Sequence, residues 1–99
     1  MATLSIDFQD GFVNDTVMVQ IDDEEVFRKE RVSTRRLTGL AASFQTQVKE
    51  GSVRVQINVP TTEIARTILV EVSADTYLGI SLVNGAIKYI VSAKPFGYA

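Results

Sequence analysis

Four consecutive carboxylates, Asp22, Asp23, Glu24 and Glu25, end an alternating apolar run and lead into the basic stretch RKERVSTRR at 28–36. Carboxylate oxygens are hard ligands that suit calcium, and Asp10 and Asp15 bracket a second acidic loop, DGFVND. Neither loop has EF-hand spacing, and calcium wants about six to eight converging oxygens. The two loops also flank one expected strand. At roughly 3.3 Å per residue, about six residues hold them about 20 Å apart, so one ion cannot draw on both. The acidic run therefore reads as a solvated turn whose charges discourage edge-to-edge association. No metal is expected, and Asp22 and Asp23 are the ligands if one binds.

The basic stretch sets Arg28, Lys29, Arg31, Arg35 and Arg36 against Glu30. Guanidinium groups engage phosphate and carboxylate oxygens directly, so Arg28, Arg35 and Arg36 are the polar binding candidates. Nucleic-acid binding would call for stacking platforms, and Phe27 alone lies nearby. Lys and Arg also protect the free edge of a sheet, which is the plainer reading of this stretch. An acidic turn running into a basic strand gives the surface a plus-minus character. Head-to-tail contact between copies, or docking on a partner of mixed charge, would follow from it.

Catalytic chemistry is narrowly bounded. The chain has no histidine and no cysteine, which removes Ser-His and Cys-His pairs, imidazole bases and the usual zinc ligand sets. Its six glycines form no phosphate-cradling motif. What is left is a carboxylate-only hydrolase, with two acids about 5–10 Å apart across a cleft. A non-catalytic protein without a cofactor is the expectation.

Charge and termini point the same way. Ten basic against twelve acidic side chains leave a formal charge of -2, too little to steer nucleic acid or an anionic membrane. MATLSIDFQDG lacks the regions of a signal peptide, and no run approaches about 18 apolar residues. With no cysteine to oxidise, a soluble, cytoplasmic protein is expected. Asn14-Asp15-Thr16 matches a glycosylation sequon that has no meaning in such a compartment.

The elements that position these residues repeat with period two. Leu4, Ile6 and Phe8; Val17, Val19 and Ile21; Val53, Val55, Ile57 and Val59; Ile68, Val70 and Val72; Leu78, Ile80 and Leu82 all alternate with polar or outward-facing residues, as do the runs around Phe44 and Tyr89. Turn chemistry separates them, most clearly Asn84-Gly85, which suits a type I′ hairpin. STRRLTGLAAS at 33–43 fits the strand pattern least well and is expected to be a crossover loop leading into the strand around Phe44, with one turn of helix capped by Ser33 or Thr34 as the variant. At 99 residues, with 45% hydrophobic and 22% charged side chains, the chain predicts one domain over 1–99. That domain is expected to be an all-β, antiparallel β-sandwich of seven or eight strands.

The hairpin VMVQIDDEEVF resembles the strand-turn-strand of many immunoglobulin-like and jelly-roll accessory modules, with acid in place of the turn glycine. The resemblance implies an immunoglobulin-like or jelly-roll-like fold and no activity. Among the aromatics, Phe8, Phe44 and Tyr89 fall on apolar registers and are expected in the core. Phe12, Phe96 and Tyr98 have no strand face to hide in and become the apolar binding candidates. The tail KPFGYA either folds back to plug one end of the sandwich, which the area of its two aromatics favours, or projects as an anchor for a partner. The whole reads as a non-catalytic interaction or accessory domain whose partner is another protein or a second copy, with neither nucleic acid nor membrane. The alternative is a module that holds calcium or a saccharide at Asp10, Asp15, Asp22 or Asp23.

Overall fold

A computed structural model describes residues 1–97 and contains eight strands. They are β1 (Ala2–Phe8), β2 (Asp15–Ile21), β3 (Glu24–Val32), β4 (Ala42–Val48), β5 (Gly51–Val59), β6 (Ile64–Val72), β7 (Thr76–Val83) and β8 (Ala86–Ser92). One 3-10 turn, Pro60–Thr62, joins β5 to β6. Among the described residues no helix is long and apolar enough to cross a membrane.

The strands form two four-stranded sheets, in the orders β4-β1-β7-β8 and β3-β2-β5-β6. Alternation places one set of each strand's side chains between the sheets. Leu4, Ile6, Phe8, Leu78 and Ile80 of the first sheet meet Val17, Val19, Val55, Ile57, Ile68 and Val70 of the second, all at 2% exposure or less. Each such side chain stabilises the fold by about 1.5–3 kcal/mol.

One expectation needs correcting. The sandwich is not wholly antiparallel, because β1 pairs with β7 in parallel, Leu4 opposite Thr76 through Phe8 opposite Ile80. Side-chain alternation specifies which face of a strand is buried but not which strand lies beside it. A parallel neighbour needs a long crossover, and here β2, β3, β5 and β6 supply it by passing through the opposite sheet, with β4 returning to the first sheet between them. Residues 33–41 carry the chain from β3 to β4 as the expected crossover loop.

The turns follow their residue chemistry. Asn84 and Gly85 have φ of 52° and 75°, which closes the β7–β8 hairpin with the positive φ pair of a type I′ turn. Asp22 and Asp23 do the same for β2–β3, with φ of 49° and 72°. Only half of the acidic run is therefore turn, since Glu24 and Glu25 already belong to β3.

Candidate interaction surface

Strand directions sort the charges by end. One end collects the turns at 22–23, 49–50 and 73–75, and with them Asp22, Asp23, Glu50 and Asp75. The opposite end collects the loops at 9–14 and 33–41, and with them Arg35 and Arg36, close to Arg31 near the finish of β3. The first end is the richer in acid, although Lys49 lies there too, and the arginine-bearing loops share their end with Asp10 and Glu63.

At the acidic end the carboxylates are already engaged. Asp22 Oδ1 accepts the Arg54 backbone N–H at 3.1 Å, and Asp23 Oδ2 accepts from the Arg54 guanidinium. Both contacts pin the β2–β3 turn onto β5. Asp15, at the other end, is 5% exposed, and its carboxylate accepts from Val13 N at 2.9 Å and Thr61 Oγ1 at 2.7 Å. These acids are structural caps, and no group of three or more metal-ligating side chains forms among the described residues.

The basic end is built from two loops zipped together. Thr34 N donates to Phe12 O at 2.9 Å, Phe12 N to Thr34 Oγ1 at 3.1 Å and Asn14 N to Ser33 Oγ at 2.8 Å. Leu82 N donates to Asp10 O at 2.8 Å, which ties the first loop to β7. Gly11 permits that approach, since a Cβ there would lie 2.0 Å from the Leu82 carbonyl oxygen and φ is +90°. In the second loop Gly39 N donates to Arg35 O at 2.8 Å, closing a turn with Leu37 at its tip. The outcome is a braced pair of loops that carries Leu37, 89% exposed, with Arg35 and Arg36 in solvent on one loop and Val13, 77% exposed, on the other.

The aromatic candidates fare differently. Phe12 is 1% exposed and packs edge-on against Phe8 at 5.6 Å, so it is a core residue and not an anchor. The loop folds inward because its backbone groups are satisfied by Thr34 and it can bury a large apolar ring. Phe44 is only partly buried, and Tyr89, on the edge strand β8, is 40% exposed; neither reaches the depth its register suggested. Arg28 sits on β3 and pairs with Glu25 at 3.0 Å, away from Arg35 and Arg36 in the loop. Phe96 is half-buried against the outer face of the first sheet, not at an end of the sandwich. With Pro95, Tyr77, Ser5, Asp7 and Gln45 it lines a cleft of about 430 Å³. Tyr98 lies outside the described residues.

Two apolar features escaped sequence reading. Leu37 and Val13 are single residues inside loops, with no periodicity to mark them. Tyr89, Ile90 and Val91 are all exposed on β8, the last strand of its sheet. Arg66 of β6 reaches this strand, donating Nη1 to Ile87 O at 2.8 Å and lying 4.8 Å over the Tyr89 ring. The Ile87 carbonyl therefore points away from β7. By the alternation of an antiparallel ladder, the backbone groups of Tyr89 and Val91 point outward as well.

Comparison with protein families, curated proteins and solved structures finds no match for this chain.

Proposed function

We propose that this chain is a non-catalytic protein-interaction or accessory domain that docks an acidic, leucine-bearing segment of a partner protein on its basic loop end. The observation that carries this reading is Leu37 standing exposed next to Arg35 and Arg36 on a loop that is hydrogen-bonded to the loop of exposed Val13. Apolar anchors within a charged surround are the usual anatomy of an interface, and arginine is favoured there. The bracing keeps the ordering cost of binding low. An immunoglobulin-like or jelly-roll-like type for the fold rests on the β2–β3 hairpin pattern alone.

The test is an amide-resolved NMR titration with a synthetic peptide alternating Glu and Leu. Saturable shifts confined to residues 12–14 and 33–40, weakened by salt and abolished by Arg35→Glu with Arg36→Glu, are expected. Shifts elsewhere, or none at about millimolar peptide, would sink the proposal. A saccharide is the second reading, favoured by the hydroxyl- and amide-lined cleft under Phe96 and Tyr77. It predicts shifts at Ser5, Gln45 and Tyr77 on adding a neutral oligosaccharide.

A further inference from the structure

The outer face of the first sheet carries its polar side chains in rows that run across the strands. Ser5 lies opposite Gln45 of β4 and Tyr77 of β7, and Asp7 opposite Ser43 of β4. In the neighbouring row Gln47 lies opposite Thr3, and its Nε2 donates to Thr3 Oγ1 at 2.8 Å, so that row satisfies itself. The Ser5 row does not. Ser5 is only 7% exposed and borders the cleft of about 430 Å³, yet its hydroxyl has no hydrogen-bond partner among the described residues. A buried hydroxyl without a partner costs free energy unless an atom from outside the chain reaches it. The Gln45 amide and the Tyr77 hydroxyl, on the same cleft, have no partner among the described residues either.

We propose, resting on the saccharide reading of that cleft, that it binds a neutral pyranoside between the sheet and the C-terminal tail. Ser5 and Gln45 hydrogen-bond the sugar hydroxyls, and the Tyr77 and Phe96 rings take its C–H faces. The lining selects the ligand. It contains no Lys or Arg and one carboxylate, Asp7, which turns away uronic acids, sulfated sugars and phosphates. Hydroxyl and amide groups donate and accept at once, as sugar hydroxyls do. The volume falls within the usual range of ligand pockets, about 300–1,000 Å³, and has room for about two sugar rings. The tail supplies the remaining wall. Lys94 N donates to Ser92 Oγ at 3.1 Å and Ser92 Oγ to Lys94 O at 2.8 Å, a local knot that leads Pro95 and Phe96 back across the sheet. Phe96 makes no hydrogen bond among the described residues, so its ring is free to close on a ligand.

The test is amide-resolved NMR of the full chain with cellotetraose and mannotetraose, and with tetragalacturonate as the anionic counterpart. At least one neutral tetrasaccharide should give saturable shifts at Ser5, Gln45, Tyr77 and Phe96 with a Kd of about 1 mM, and tetragalacturonate should give none. Phe96→Ala, which lies outside the core and should keep the β-sheet circular dichroism spectrum, should weaken binding about tenfold. Ser5→Ala should weaken it about fivefold. Silence toward both neutral sugars at about 10 mM would end the saccharide reading and this proposal together. Shifts on the sheet that Phe96→Ala leaves unweakened would keep that reading and overturn the tail's part in the site. Equal binding of tetragalacturonate would overturn the assignment to neutral sugars.

Discussion

The two long sides of the sandwich are closed in different ways. On the side of β3 and β4, Phe27 stacks on Phe44 at 4.2 Å and on Phe8 at 5.9 Å, and Phe12 completes the row. The edge strand there, EEVFRKERV, carries six charged residues and two register shifts, and Arg31 has a positive φ of 56°. Bulges and charge are the established means of blunting an edge. On the side of β6 and β8, one arginine bridges the sheets and β8 stays regular and apolar. The same sandwich thus has one side sealed against other strands and one side left able to accept one.

Three substitutions would break or sharpen that contrast. The largest effect is expected from Phe27→Ala, which removes the middle ring of the stack. A loss of about 2–4 kcal/mol in urea unfolding is expected, toward the lower end for a partly buried ring. Arg66→Ala should cost about 1 kcal/mol, since its hydrogen bond and ring contact are partly exposed to solvent. Equal losses for the two variants would mean that both sides are closed alike and would end the comparison. The smallest change is expected from Arg31→Gly. Relief of the left-handed backbone should raise stability by about 0.5–1 kcal/mol, and a loss instead would show that the arginine side chain holds the bulge.

Much of this architecture was legible in the residues, for reasons that also mark where reading stopped. Period-two burial is a property of each strand by itself, so Leu4, Val19, Val55 and Ile80 announced their faces. Asn84-Gly85 announced its hairpin through backbone chemistry that acts over two residues. Pairing between distant strands leaves no such local trace, which is why the parallel β1–β7 contact was not legible. Phe12 was misread because a loop residue's burial depends on what the loop meets, here Phe8 and Thr34. The site was less legible than the fold. Arg35 and Arg36 were visible as charge and Leu37 is their sequence neighbour, but the loop of Val13 joins theirs only because hydrogen bonds zip two loops that are some 20 residues apart. Tyr89 read as core because its register is right; it is exposed because β8 is outermost in its sheet.

The parallel pairing at the centre of the first sheet has a consequence for how the chain is made. The β2–β3 and β5–β6 hairpins can close as soon as their own residues leave the ribosome, whereas β1 waits for a neighbour about 70 residues downstream. Until β7 emerges, Leu4, Ile6 and Phe8 have only β4 beside them in their own sheet. Pairings this remote in sequence slow folding toward the millisecond-to-second range and prolong the exposure of apolar strands. Of these eight strands β1 is made first and is among the last to be enclosed, and the nascent domain is most prone to aggregate in the interval before β7 is synthesised.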